Sequence, residues 1–319
     1  MSSKEKYRQL CNEDKSIPVF LTYNWLDCVN AGNWDVLLYE KDGIITGAMP
    51  YRVHKKYGMK TIMPPVFTPY CGIYVNYRNC TTPHRRYTLE NSVCSYFAQK
   101  LASMHLQACF YPLQPQNMFS SEFFRQGFSC NVRYTYAANI SDMEKCYGGF
   151  TSMMKTHIKK TQKTLSVKEY DGSLKEIYNI LCQTYANQKV SVPFSLKDLE
   201  NITAFARTYN QGRWFAAVDD EENIHAVLFL LWDNDTAYSL INATNYRFAS
   251  SNAGALIVFK AMQYAHSQQL KRFDFEGSML KGVENFYIHF NSLRTPYIYM
   301  VKYYGRLYKC LRTLKQKTV

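Results

Sequence analysis

Residues 32–49 read GNWDVLLYEKDGIITGAM and residues 212–229 read GRWFAAVDDEENIHAVLF, and the two stretches align without a gap. Each begins with a Gly-x-Trp triplet and continues into a run that is rich in strand-forming residues. A short polar turn follows, with Asp-Gly in the first stretch and Glu-Asn in the second, and then a second strand-like run. This order predicts a β-hairpin in each stretch.

The order of predicted elements around each hairpin repeats as well. Further strands, a mostly apolar helix, a short buried strand, a second short helix and a terminal strand follow each hairpin. In the first half the main elements are predicted at 61–64, 70–75, 91–106, 109–111 and 132–137, and in the second at 237–242, 252–268, 272–275 and 297–302. Two helices precede the second hairpin, at 174–188 and 196–211, and a weaker one precedes the first, at 23–31. We therefore predict two α/β domains with mixed sheets, related by internal duplication, at residues 1–145 and 146–319.

The composition is typical of a folded globular protein. The 319 residues are 47% hydrophobic and 20% charged, which excludes a disordered chain. No apolar run reaches the roughly 18–20 residues that span a bilayer. The N-terminus lacks the apolar stretch of a signal peptide. We therefore expect a cytoplasmic protein that does not cross a membrane.

Cysteines and histidines give no sign of a metal site or a disulfide framework. The ten cysteines include no Cys-x-x-Cys pair, and no pair of histidines has the spacing that would complete a site. We expect reduced, mostly buried thiols and no metal.

The net charge of +13 is concentrated in two segments that contain no acidic residue. Residues 155–168 contain five lysines, and residues 302–319 contain six basic residues. Apolar spacing over 150–165 predicts a helix with a basic polar face. That face carries Lys155, Lys159, Lys160 and Lys163. Like charges four residues apart on a helix repel each other, so the face indicates either an anionic partner or a solvated surface, and the sequence leaves both open.

The predicted element order is that of the GNAT acyltransferase fold. Two copies in one chain, with a basic helix at the start of the second, resemble the Fem-type peptidyltransferases and the related BioF2-like acyltransferases. The motifs that carry the resemblance are GAMP at 47–50, PP at 64–65, TPYCG at 68–72, THIKKTQK at 156–163, FDFEGS at 273–278, GVENF at 282–286 and Phe290-Asn291. The motifs from residue 273 onward are the most specific. The resemblance implies transfer of an acyl or aminoacyl group to an amine.

The expected donor site lies at the start of the predicted helix 252–268. Backbone amides at a helix N-terminus bind phosphate groups well, and acyl-CoA is the expected co-substrate. The candidate donor-binding residues are Arg247, Ser251, Asn252, Ala253, Gly254 and Ala255. Asn252 stands where the pattern of the family has its first glycine. A plain helix cap, in which Ser or Asn side chains satisfy the first amides, is the structural alternative.

The expected chemistry needs a group that takes a proton from the attacking amine. Asp274 and Glu276 alternate with phenylalanines in a predicted strand, so both acids should face the same side. The candidate catalytic residues are Glu276, Asp274 and Tyr238, and the candidate substrate-binding residues are Asn242, Asn245, Lys281, Phe286, Lys159 and Lys163. A purely structural role for the two acids stays open.

Three functional hypotheses follow. The first is an N-acyltransferase that uses acyl-CoA and a small-molecule or peptide amine. The second is a Fem-like transferase that uses aminoacyl-tRNA and a cell-wall peptide precursor. The third is a GNAT-like binding module without catalysis. In the first two, residues 146–319 hold the donor and catalytic side, and residues 1–145 form a degenerate domain on the acceptor side or a cleft wall. At the basic helix we expect tRNA or a phosphate-bearing lipid, with peripheral membrane contact left open, and no DNA.

Overall fold

The computed structural model describes residues 1–277 and 281–317. Its helices are α1 Ser3–Glu13, α2 Tyr23–Asn30, α3 Pro83–Ser103, α4 Ser121–Arg125, α5 Met143–Gly148, α6 Ser152–Thr161, α7 Leu174–Asn187, α8 Leu196–Tyr209, α9 Ala253–Ser267, α10 Lys281–Tyr287 and α11 Arg306–Lys317. Its strands are β1 Asp35–Lys41, β2 Ile44–Tyr51, β3 Val53–Lys56, β4 Met59–Ile62, β5 Tyr74–Val75, β6 Ala108–Pro112, β7 Ser129–Asn139, β8 Ser166–Glu169, β9 Gly212–Val218, β10 Ile224–Trp232, β11 Thr236–Thr244, β12 Arg272–Asp274 and β13 Leu293–Tyr303.

The chain divides into two compact units. The first contains Met1–Arg133 together with the described residues from Pro296 onward, and the second contains Tyr134–Thr295. The units are delimited by spatial contacts, whereas the predicted domains 1–145 and 146–319 are delimited by the repeat in the sequence. The division into those two domains by duplication therefore remains a prediction.

The first unit contains a hairpin sheet and a second group of strands. The order of the hairpin sheet is β1-β2-β5, and its pairs are antiparallel. Helices α1 and α2 pack on this sheet around the buried side chains Tyr7, Trp34 and Val36. The second group has the order β3-β4-β6-β13, in which only β4 and β6 pair in parallel. Helix α3 covers it through Phe97 and Leu101.

The second unit is built on a sheet with the order β7-β12-β11-β10-β9-β8. Strands β11 and β12 are parallel, and the other pairs are antiparallel. All nine residues of β10 are buried. Helix α9 packs on the sheet through Leu256 and Met262, which join a core that includes Leu228 and Phe273. The carboxyl ends of β11 and β12 and the start of α9 thus belong to one well-packed unit.

Both predicted hairpins are present, as β1–β2 and β9–β10. In each case the preceding helix ends at a residue in the left-handed conformation, Ala31 after α2 and Asn210 after α8. The tryptophan of each Gly-x-Trp triplet is buried and donates its indole N–H back to that helix. Trp34 Nε1 donates to Asp27 Oδ1 at 2.7 Å, and Trp214 Nε1 donates to Thr203 Oγ1 at 2.8 Å. The repeated triplet therefore has the same structural role in both copies.

Several predicted bounds differ from the structure. The first hairpin has a second preceding helix, α1, which the sequence analysis missed because Tyr7 is its one buried residue. Helix α3 begins at Pro83 rather than at residue 91, because Thr82 caps it and proline is accommodated in the first turn. The basic helix is α6, which covers 152–161 of the predicted 150–165.

The ten cysteines are free thiols. In the part of the chain that the structure describes, no helix is both long and apolar enough to cross a membrane.

Candidate active site

The start of α9 is shaped by a left-handed residue. Asn252 has φ 57° and ψ 23°, a conformation that glycine adopts freely and that asparagine tolerates better than most residues. The amide of Ala253 donates to Ser251 Oγ at 3.3 Å, and the amide of Ala255 donates to the Asn252 carbonyl at 3.0 Å. The side chain of Asn252 makes no cap for α9. Asn252 therefore makes a turn that a glycine would make without strain.

The loop before α9 is fixed to its neighbours. Thr161 at the end of α6 donates its hydroxyl to the Ser251 carbonyl at 2.9 Å. On the other side, a Cβ at Gly254 would lie 3.1 Å from Thr244 Oγ1 and 4.0 Å from Phe286 Cζ. The absence of a side chain at Gly254 thus lets the first turn of α9 approach the end of β11 closely. Phe286, a predicted substrate-binding residue on α10, lies at the edge of this contact.

A buried histidine supports the same loop. His225 Nε2 lies 3.1 Å from Asp219 Oδ2, and the imidazole stacks on Phe248 with ring centroids 4.0 Å apart. Hydrogen bonds from Asn223 and then from His225 lower the pKa of Asp219 to about 2. Phe248 belongs to the 3-10 helix Tyr246–Ser251 that leads into α9. The stack therefore ties the segment before α9 to the β9–β10 hairpin.

The predicted carboxyl pair lies at the end of β12, where Asp274 is buried and Glu276 is half-buried. Asp274 is 2% exposed, and its Oδ1 accepts hydrogen bonds from the Thr135 hydroxyl and, at 2.9 Å, from the Glu276 amide. Its Oδ2 accepts from Arg272 Nη2 at 3.1 Å. Burial raises the pKa of Asp274, and the Arg272 charge opposes that rise. Asp274 is therefore held by several donors and positions the backbone of Glu276.

The carboxyl group of Glu276 has a different environment. Its Oε1 is buried and has no hydrogen-bond partner among the residues that the structure describes. Burial, and then the charge of Asp274, raise the pKa of Glu276 well above its ordinary value. A buried carboxyl oxygen without a donor is costly, and raised pKa values of this kind are typical of groups that transfer protons.

The two acids come together for a reason that the sequence analysis did not anticipate. The strand ends at Asp274, and Glu276 has φ 54° in the left-handed region. The expectation that both lie on one continuous strand was therefore wrong, and a turn brings them together instead. A Cβ on Gly277 would lie 1.9 Å from the Tyr134 carbonyl oxygen, so only glycine fits there. This close approach fixes the turn.

Two tyrosines lie beside this pair. Tyr238 is opposite Asp274 in the parallel β11–β12 register, and its hydroxyl donates to Asp233 Oδ2 at 3.0 Å. The sequence analysis missed Tyr287 on α10, whose pKa is raised by burial and then by the charge of Glu276. Its ring centroid lies 5.0 Å from that of Phe275. The spacing of residues 283, 286, 287 and 290, typical of a helix face turned inward, was the available signal.

The other predicted substrate-binding residues have varied surroundings. Asn245 Nδ2 donates to the Ile224 carbonyl at 2.8 Å, and its Oδ1 accepts from the Arg247 amide at 3.1 Å. Asn245 therefore fixes the start of the segment that leads into α9. Asn242 is half-buried on β11, whereas the side chains of Arg247 and Lys281 are exposed.

The lysines around α6 separate into two kinds. Lys155 Nζ donates to the Gly148 carbonyl at 2.6 Å and so caps the end of α5. Lys159, Lys160 and Lys163 are exposed and form no ion pair with any residue of 1–277 or 281–317. The helix ends at residue 161, so Lys163 follows it. These three side chains form the free part of the basic surface.

Metal ligands do not cluster in the described chain. Within 1–277 and 281–317, no group of three or more His, Cys, Asp or Glu side chains is arranged to hold a metal ion.

Comparison with known proteins agrees with this architecture. Residues 159–286 match a family model described as an acetyltransferase (GNAT) domain. No curated protein sequence matches the chain. The structure of FemX aligns with a TM-score of 0.68 at 11% identity, over 93% of this chain and 96% of that one. The C-terminal domain of a protein described as a putative lysylphosphatidylglycerol synthetase, from Agrobacterium fabrum, aligns with a TM-score of 0.59 at 10% identity, over 94% and 92%. A tandem GNAT protein from the clavulanic acid biosynthesis pathway aligns with a TM-score of 0.55 at 6% identity, over 85% and 82%.

The fold is thus a tandem GNAT-like fold, as the repeat in the sequence predicted. The resemblance to the GNAT-like, Fem-type acyltransferases is confirmed by the family match together with the structural neighbours. These findings support an acyltransferase.

Proposed function

We propose that the chain is an N-acyltransferase that moves an acyl group from an acyl thioester, acyl-CoA, to an amine. The observation that carries the proposal is the left-handed turn at Asn252, which leads into a first turn of α9 that has no side chain at Gly254. First-turn amides and the positive end of a helix dipole suit a phosphate-bearing donor. The match of residues 159–286 to a GNAT domain supports the same donor class.

Glu276 is the proposed proton acceptor. The amine nitrogen attacks the thioester carbonyl carbon, the new C–N bond forms, and the C–S bond breaks to release the thiolate of coenzyme A. The proton that the amine loses passes to Glu276 and then to the thiolate, so that acyl amide and free thiol result. A carboxylate with a raised pKa accepts a proton more readily than an ordinary one. Asp274 and Tyr238 act as positioning residues in this proposal, because their polar atoms are already engaged by the protein.

The test is release of coenzyme A thiol from acetyl-CoA in the presence of a panel of amines. Glu276→Gln is expected to lower turnover by about a hundredfold or more, the usual contribution of a positioned general base. Glu221→Gln, an exposed acid in the turn after β9, is the matched control and should leave turnover unchanged. Wild-type turnover in Glu276→Gln, measured on folded protein, would remove Glu276 from the mechanism.

A second candidate is a Fem-like transferase that takes its aminoacyl group from tRNA and acts on a cell-wall peptide precursor. It is favoured by the exposed, unpaired Lys159, Lys160 and Lys163 of the described chain, which suit a polyanion such as tRNA or a phosphate-bearing lipid. The structural likeness to FemX covers 93% of this chain, but at 11% identity it supports the fold alone. The argument for the non-catalytic alternative, the missing glycine, is weakened because Asn252 has a left-handed conformation that glycine also adopts freely.

We further propose that residues 146–319 supply the donor and catalytic side and that residues 1–145 serve the acceptor.

A further inference from the structure

The first unit contains a cleft that the proposed function does not use. It has a volume of about 650 Å³ and lies where β3 and β4 meet the end of α3. Its polar lining comes from Asn33, Arg52, His54, Lys55 and Lys60. Its apolar lining comes from Val53, Met104 and Leu106. Clefts of roughly 300–1,000 Å³ with a few convergent polar groups are the usual size of small-molecule sites.

The charge of the cleft is of one sign. Arg52, Lys55 and Lys60 line it, and no aspartate or glutamate of the described chain does. None of these three cations forms an ion pair within the described parts of the chain. Lys55 and Lys60 are also direct cross-strand partners in the β3–β4 ladder. Like charges in that position destabilise a strand pair. An anion bound between Lys55 and Lys60 would therefore reduce the repulsion between the two ammonium groups.

The guanidinium of Arg52 adds an independent observation. Its Nε is buried and has no hydrogen-bond acceptor among the described residues. A buried N–H of a charged group that lacks an acceptor costs stability. Because that Nε is closed to solvent, a ligand in the cleft would meet the guanidinium through its other nitrogens, and the planar group matches the geometry of phosphate oxygens.

We propose that this cleft binds a phosphorylated small molecule. Arg52, Lys55 and Lys60 hold the phosphate, and the apolar wall of Val53, Met104 and Leu106 contacts the remainder of the ligand. The site is separate from the donor site at α9, since all its lining residues belong to the first unit. A test of binding at this cleft is therefore independent of a test of the proposed acyl transfer.

Pyrophosphate and glucose 6-phosphate are the probes, and their binding is measured by calorimetry and thermal unfolding. Lys55→Ala/Lys60→Ala is expected to weaken binding at this site by about tenfold or more, because each charged hydrogen bond that is removed costs about that factor. The free double variant should melt at the same or a higher temperature than wild-type, since the like-charge pair is gone. The probes should raise the melting temperature of wild-type protein but not of the double variant.

Lys56→Ala is the matched control, because Lys56 is exposed on the same strand and does not line the cleft. Lysine acetylation followed by peptide mass spectrometry locates the ligand: pyrophosphate should slow modification of Lys55 and Lys60 and leave Lys56 unchanged. Equal protection of all three lysines, or equal loss of binding in Lys56→Ala, would mean diffuse attraction to a basic protein and would overturn the site. Acetyl-CoA binding by the double variant should match that of wild-type, which separates this result from the test of the donor site.

Discussion

Glu276 combines a left-handed backbone, a buried oxygen without a donor among the described residues and a neighbouring aspartate. Each of these features is unfavourable by itself. The left-handed backbone alone costs about 1–3 kcal/mol at a non-glycine residue. Proteins retain such combinations mostly where they serve a function. The sequence alone indicated that two acids meet near residue 274. It could not indicate the burial that raises the pKa of Glu276, because burial depends on β7 and α10, which are distant in sequence.

The raised pKa of Glu276 predicts a pH dependence of stability. Between the ordinary value of 4.5 and the higher folded value, the native state holds a proton that the unfolded state has lost. The contribution of this group to stability therefore falls as pH rises through that range. Glu276→Gln removes this dependence of stability on pH. The melting temperature of the variant should therefore exceed that of wild-type at pH 8, and the difference should be much smaller at pH 5. If the melting temperatures of wild-type and Glu276→Gln changed in parallel over the same pH range, the carboxyl group of Glu276 would not be desolvated.

Gly277 offers a test of the turn that places Glu276. A methyl group there would meet the Tyr134 carbonyl oxygen at 1.9 Å, so Gly277→Ala should cost about 3 kcal/mol of unfolding free energy. Gly282→Ala is the matched control, because a Cβ at this helical position meets no atom of the described residues within 4 Å. It should stabilise the protein by about 0.5–1 kcal/mol. Similar denaturant midpoints for the two variants would contradict the described turn.

At the scale of elements, hydrophobic pattern and turn chemistry predicted the hairpins and most helices. Helix α1 was missed although Ser2 and Glu5 form a capping box, because one buried residue gives little periodicity. Helix α3 was predicted too short at its start, where Thr82 caps the helix and Pro83 is accommodated in the first turn. The end of β12 could not be predicted, since it depends on how closely Gly277 approaches β7.

The basic surface at the end of α6 predicts binding to a polyanion under the second candidate function. Lys159→Ala/Lys163→Ala should lower affinity for tRNA and reduce the slope of log affinity against log salt by about 0.7–0.9 for each phosphate that is no longer neutralised. Stability should stay within about 0.5 kcal/mol, since both side chains are exposed. Lys175→Ala, at an exposed position on α7, is the matched control. An unchanged slope in filter binding would show that this surface is merely solvated.

At the scale of the whole molecule, the repeated hairpins agree with the predicted duplication, and the second unit carries the candidate chemistry. The repeated Trp34 and Trp214 hydrogen bonds show that both copies use the same helix-to-hairpin junction. The pattern of the sequence was sufficient to predict the tandem GNAT-like fold and the position of the loop before α9. It did not predict Tyr287, the His225–Phe248 stack or the cleft at β3–β4, because these arise from contacts between residues that no local pattern links.

The central claim is that α9 opens a site for a coenzyme A thioester. The most direct measurement is calorimetric titration of acetyl-CoA into wild-type protein, Gly254→Val and Gly148→Val, at low and moderate salt. Gly254→Val places a side chain next to Thr244 and Phe286, whereas a Cβ at Gly148 meets nothing within 4 Å. We predict binding that persists in salt for wild-type and Gly148→Val and falls at least about tenfold, or 1.4 kcal/mol, for Gly254→Val. Absence of binding to folded wild-type protein, or equal binding by Gly254→Val, would contradict the claim.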